Sequence, residues 1–120
     1  MEHESPISLA ILARLRDETG DEDGSLIREL VDVFCEDAEE SFKRLMEYSE
    51  TGDAYTLSRE AHRIKSGAAN MGALHMATLC NEVEHLAGAG NIAAARLRLL
   101  EIQEELPRAC AGLRDYIASL

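Results

Sequence analysis

A chain of 120 residues is long enough for one hydrophobic core and too short for two ordinary domains, so residues 1–120 are read as a single domain. Hydrophobic residues make up 46% of it, yet three Tyr, two Phe and no Trp leave Leu, Ile, Val, Ala and Met to fill the core, which suits helices better than sheets. With 23 acidic against 12 basic residues the formal net charge is −11, which repels nucleic-acid backbones and anionic lipid and points to protein partners instead.

In chain order, Ser5-Pro6 reads as an N-cap followed by proline at the first helical position. It opens a short leading helix through Leu9, Leu12, Ala13 and Leu15 that stops near Gly20. After the polar stretch 21–25, apolar residues recur at Leu26, Leu30, Phe34, Ala38, Phe42 and Leu45, with Ile27, Val31, Cys35 and Met46 widening the stripe. The opposite face holds Glu36, Asp37, Glu39, Glu40, Lys43 and Glu47 and is read as solvated. Gly52-Asp53 stops that helix and caps the next, whose stripe is Leu57, Ala61, Ile64, Ala68 and Met71. A break at Gly72 leads to a fourth segment through Leu74, Ala77, Leu79, Cys80, Val83 and Leu86, closed by Gly88-Ala89-Gly90. Asn91 caps a long last helix from Ile92 to about Leu120, which Pro107 is expected to kink or divide. Amphipathic helices joined by short Gly, Asp and Asn connections predict an all-α fold: an antiparallel four-helix up-down bundle with a short accessory N-terminal helix.

Met1 to Leu12 has no basic segment followed by a long apolar run, and no stretch of some 18 apolar residues occurs, so a cytoplasmic location without membrane contact is expected. Cys35, Cys80 and Cys110 are odd in number and embedded in apolar patterns, which predicts buried reduced thiols.

One histidine stands apart. At about 100° per residue, Leu57, Ala61, Ile64, Ala68 and Met71 share a narrow arc, and His62 falls roughly 140° from its centre. It therefore points away from the core. Its neighbours on that outer face are Ser58, Arg59, Lys65, Ser66 and Ala69, mostly small, which leaves the imidazole open to a large rigid partner. Gly67, which costs about 1 kcal/mol relative to alanine in a helix interior, suits close approach of either a partner's backbone or a neighbouring helix. Imidazole, with a reference pKa of about 6.5, supplies an unprotonated nucleophile near neutrality. Transfer of an anionic group to such a nucleophile would further need in-line positioning and cancellation of that group's charge. Lys65, one turn along, is placed to supply positive charge, and Arg59, one turn back, to add to the field.

The stretch from Ala61-His62-Arg63-Ile64-Lys65-Ser66-Gly67 through Ala68-Ala69-Asn70-Met71-Gly72-Ala73 closely resembles the signature of the histidine-phosphotransfer (HPt) family, and Leu79-Cys80-Asn81-Glu82-Val83-Glu84 looks like its continuation. The motif region spans about 57–86. The resemblance implies that His62 is the phosphoacceptor and Lys65 the phosphate-side cation. It makes Ser66, Gly67 and Gly72 the small positions that keep the histidine accessible, with Ser58, Arg59 and Ala69 completing the docking surface. It implies that Glu84 orients the imidazole by accepting a hydrogen bond, unless it turns to solvent as surface Glu usually does. Glutamate there departs from the glutamine of some members, Ser66-Gly67 reverses the commoner glycine-then-serine order, and Ile64 replaces leucine.

No Gly-rich nucleotide loop or Walker lysine motif is present, so the resemblance implies a carrier without autonomous kinase activity. Its expected partners are receiver domains of response regulators and hybrid sensor kinases, with Mg²⁺ in the receiver and no cofactor on this chain, which is expected to be a monomer. Two other readings compete. Glu82-Val83-Glu84-His85 contains one Glu-x-x-His element of carboxylate-bundle metal sites, which need it twice. A pure interaction bundle would instead dock through the acidic surface or the leading helix, with Ile7 and Ile11 partly exposed. His3, His75 and His85 are assigned no function.

Overall fold

Five helices and no strand make up residues 5–120, the part of the chain that the computed structural model describes. They are α1 (Leu9–Thr19), α2 (Ser25–Thr51), α3 (Ala54–Asn70), α4 (Leu74–Gly88) and α5 (Ile92–Ala118). The all-α expectation holds. Two of the anticipated caps are in place: the Asp53 side chain accepts from the Thr56 amide and that of Asn91 from the Ala94 amide. The start of α2 is capped from further back. Gly24 at its N-cap has no side chain, and the buried Asp21 carboxylate accepts from the amides of Leu26 (3.1 Å) and Ile27 (2.8 Å).

Helix α2 packs on α3, α3 on α4, α4 on α5 and α5 back on α2, so four helices close a ring around the core. Paired residues give the directions. Asp37 meets Arg63 while Ser41 meets Glu60, so α2 and α3 run oppositely; Ser58 meets Glu84 while Lys65 meets Asn81, so α3 and α4 do too. Leu12, Ile27, Leu45, Leu57, Ile64, Met76, Leu99, Ile102 and Leu113 are the largest fully buried side chains. The stripe Leu57, Ala61, Ile64 and Ala68 is buried throughout, which turns the other side of α3 outward.

Three local expectations are corrected. Helix α1 begins at Leu9, with Ser8 as its N-cap, and not at Pro6. The preceding residues lie against the bundle: Pro6 and Ile7 pack beside Gly112 of α5, and the Ser8 amide donates to the Gly72 carbonyl at 2.8 Å. Ile7 is accordingly buried, not partly exposed, because tertiary contact here outweighs the N-cap signal of Ser5-Pro6. On α2 the buried face is centred on Ile27, Val31, Cys35 and Ala38, while Leu26 is 36% exposed and Phe42 only half-buried. Pro107 does not divide the last helix, which runs unbroken from Ile92 to Ala118. Pro107 and Gln103, whose carbonyl loses its amide partner, both lie on the exposed side of the helix.

A polar clamp joins α2 to α3. The Glu60 side chain, only 14% exposed, accepts from Ser41 Oγ (2.5 Å), Arg44 (3.1 Å) and Arg63 (2.9 Å), and Arg63 also bridges to Asp37 at 3.0 Å. Asp37 thus leaves the face read as solvated and joins the interface. Burial opposes the Glu60 charge, but the bonds from Arg63, Ser41 and Arg44 outweigh it and lower its pKa from 4.5 to about 2. That contribution to stability is full above the ordinary carboxylate range and is lost as pH falls through the folded value. Glu60→Gln is expected to cost about 1–2 kcal/mol at neutral pH and much less near pH 2, read from urea melts at the two pH values. At Gly72, φ is +78° and an added Cβ would stand 3.0 Å from the Ser8 carbonyl oxygen. Gly72→Ala is therefore expected to lower stability by at least about 1 kcal/mol in the same measurement.

Candidate functional site

His62 stands on the outward side of α3 with its side chain 60% exposed, as the arc of apolar residues predicts. Its Nδ1 lies 2.9 Å from Glu84 Oε2 on the facing helix α4. The other oxygen of the same carboxylate, Oε1, accepts from Lys65 Nζ at 2.7 Å, and Nζ also donates to Asn81 Oδ1 at 3.2 Å. One carboxylate therefore holds both the imidazole and the ammonium group.

Glu84 does not turn to solvent. The Lys65 hydrogen bond, aided by that of His62 and opposed by slight burial, lowers the Glu84 pKa below its ordinary value. A charged carboxylate only accepts, so the bonded Nδ1 carries the hydrogen and the Nε2 lone pair is left unprotonated in the neutral ring. No described residue hydrogen-bonds Nε2. Lys65, which the resemblance makes the phosphate-side cation, has its ammonium group bonded to Glu84 and Asn81 across the helix interface.

The remaining expected positions divide. Ser66, Ala69 and Arg59 are exposed on the His62 side of α3. Ser58 is half-buried and donates its hydroxyl to the Glu84 backbone carbonyl at 2.9 Å, tying α3 to α4 beneath the histidine. Gly67 is half-buried, and an added Cβ would sit 3.6 Å from the Phe34 ring, so its smallness serves packing against α2. Gly72 is not on the surface at all. It is a buried turn glycine beneath the segment leading into α1, where its left-handed backbone and its bond to Ser8 explain the residue type.

Asn81 and Tyr55 also belong to the site, beyond the positions expected from the motif. Asn81 precedes Glu84 by one helical turn and so shares its face, and Tyr55 stands in the same relation to Arg59. That spacing was the available signal. Arg59 lies 5.6 Å from the centre of the Tyr55 ring and donates to its hydroxyl at 3.3 Å. His75 and His85 are exposed, the latter with Nδ1 2.8 Å from the Asn81 carbonyl of its own helix; His3 lies outside the described residues. Among the described residues no three His, Cys, Asp or Glu side chains converge as metal ligands. Cys35, Cys80 and Cys110 are buried and unbridged, and burial pushes the Cys80 thiol up to about 12.

An exposed histidine with one ring nitrogen anchored by a carboxylate from the facing helix is an arrangement suited to reversible acceptance of an electrophilic group. The family model of the Hpt domain matches residues 29–116. The chain belongs to the Hpt domain family. The Hpt match takes in all of α3 and α4 and therefore every residue of the His62 site. The chain is also similar to the crystal structure of histidine-containing phosphotransfer protein B (HptB) from Pseudomonas aeruginosa PAO1, with a TM-score of 0.86 and 27% identity over 98% of this chain and 99% of that one. No curated protein gives a significant match. Membership places this Hpt chain in histidine phosphotransfer within phosphorelay signalling, as a carrier class whose members interact with receiver domains. Among the described residues no helix is long and apolar enough to cross a membrane.

Because Lys65 is the first cause of the lowered Glu84 pKa, Lys65→Met is expected to raise it toward the ordinary carboxylate value of 4.5. A carboxyl-carbon NMR titration of wild type and variant checks the direction. An unmoved Glu84 titration would mean that the ion pair does not persist in solution.

Proposed function

We propose that His62 accepts a phosphoryl group on Nε2 from the aspartyl phosphate of one receiver domain and passes it to an aspartate of another. The observation that carries this reading is the exposed imidazole with Nδ1 held by Glu84, which leaves the opposite nitrogen unbonded and outward. In the forward step the Nε2 lone pair attacks phosphorus in line, and the P–O bond to the donor's carboxyl oxygen breaks. The donor aspartate departs as a carboxylate with the bonding electron pair. The product ring bears phosphoryl on Nε2 and hydrogen on Nδ1, and its positive charge lies against Glu84 Oε2. Return transfer to a second aspartate reverses these bonds.

Glu84 orients the ring, and Lys65 offsets the charge of Glu84 so that the incoming phosphoryl group does not meet an uncompensated carboxylate. Lys65 acts in this reading through Glu84, a turn removed from the role the family resemblance implies. Ser66, Ala69 and Arg59, all exposed beside His62, supply docking surface, with Ser58 and Gly67 in support through α4 and α2.

The ring of α2 to α5 with short connections supports an antiparallel up-down four-helix bundle with α1 as accessory helix, forming one domain over residues 1–120. The chain acts as a monomeric cytoplasmic carrier in this proposal, engaging receiver domains of response regulators and hybrid sensor kinases but neither nucleic acid nor membrane. It holds no cofactor and has no kinase activity of its own, and the Mg²⁺ that offsets phosphoryl charge is held by the receiver.

Incubation with a radiolabelled, phosphorylated receiver domain is expected to give this chain an acid-labile, alkali-stable label. His62→Gln is expected to abolish it completely. Label retained in that variant would remove His62 from the pathway.

A further inference from the structure

Helix α3 is the one helix with more cations than carboxylates in a chain of net charge −11: Arg59, Arg63 and Lys65 against Glu60. Two of those cations are already paired. Arg63 is bound by Glu60 and Asp37, and Lys65 by Glu84. Arg59 has no carboxylate within ion-pair distance among the described residues; its polar contact is the uncharged Tyr55 hydroxyl at 3.3 Å, and its guanidinium lies 5.6 Å from that ring's centre. Tyr55 is itself 70% exposed, the highest value of any large hydrophobic side chain in the described residues. Both residues line the same depression as His62 and Glu84.

Resting on the proposed transfer between His62 and receiver aspartates, we infer that the Tyr55–Arg59 pair is the docking anchor that admits the anionic rim of the receiver's phosphoaspartate site. An acidic carrier must bring an acidic site within bonding distance of His62, and Coulomb repulsion opposes that approach. Arg59 offers charge that no neighbouring carboxylate has taken, one turn from the acceptor. The Tyr55 ring holds the guanidinium in a restricted arrangement, so less side-chain freedom is lost when a carboxylate or phosphate engages it. Exposed Tyr and Arg are also the side chains most often found at the energetic centres of protein interfaces. Cationic charge without a carboxylate partner at the docking surface thus comes from Arg59 on the N-terminal side of His62, whereas Lys65 on the other side is paired with Glu84 and Arg63 with Glu60 and Asp37.

The test uses the full chain and its Arg59→Ala, Arg59→Lys and Tyr55→Ala variants. The probe is a purified receiver domain, charged with acetyl phosphate, that the wild-type protein discharges. At low salt Arg59→Ala is expected to lower kcat/KM for phosphoryl uptake about tenfold, chiefly through KM. Arg59→Lys is expected to recover part of the loss, and Tyr55→Ala to show a smaller loss of the same kind. The gap between wild type and Arg59→Ala should close near about 0.5 M salt, where exposed charges are screened. Equal rates at low salt, or a loss in kcat alone that salt does not change, overturns the inference. Phosphoramidate, a small donor that needs no docking surface, separates this from the underlying reading. If it labels wild type but not His62→Gln, the acceptor stands whatever Arg59 does. If it labels both equally, the acceptor and the anchor fall together.

Discussion

The site depends on a single carboxylate divided between two partners. Glu84 reaches from α4 to α3, giving Oε2 to His62 and Oε1 to Lys65. With only the histidine attached, an ionised glutamate would stand unbalanced where a phosphoryl group must arrive. With only the lysine attached, the ring could rotate and present either nitrogen. Both bonds together select the Nδ1–H tautomer, aim Nε2 outward and keep the local charge near balance. Asn81 and the Ser58 hydroxyl add further ties across the same α3–α4 interface.

On the opposite flank of α3 a second carboxylate does related work for the fold. Glu60 gathers Ser41, Arg44 and Arg63, and Arg63 extends the network to Asp37, which anchors α3 to α2. The helix bearing His62 is thus held laterally by polar contacts and from beneath by the buried stripe of Leu57, Ala61, Ile64 and Ala68. Its outer surface needs no large side chain for stability, so Ser66 and Ala69 can stay small and the imidazole uncovered. The same pairing sorts the cations of α3, since those facing neighbouring helices meet carboxylates and Arg59, facing outward over Tyr55, does not.

Legibility in the sequence followed the range of the interactions. Periodicity and caps are local, and Asp53 and Asn91 stand where their side chains bond amides three residues on. The outward direction of His62 is likewise a consequence of rotation along one helix. Ser5-Pro6 has local N-cap chemistry, but contacts of Pro6 and Ile7 with α5 and of Ser8 with Gly72 decide the conformation and move the start of α1 to Leu9. The burial of Gly72 is hidden from the sequence for the same reason: its place in the motif is visible there, but the segment that covers it, at Ser8 and Ile11, is remote along the chain.

The sequence by itself determined the helical class, the helix caps named above and the exposed face on which His62 stands, because a helix's apolar stripe sets its own orientation within a few residues. Tertiary structure alone decided that Glu84 turns to the imidazole, that Lys65 meets a carboxylate while Arg59 meets only Tyr55, and that Gly72 is covered. Those outcomes rest on side chains far apart along the chain, such as the His62–Glu84 pair separated by 22 residues, and only the packing of one helix on another brings their charges within bonding distance.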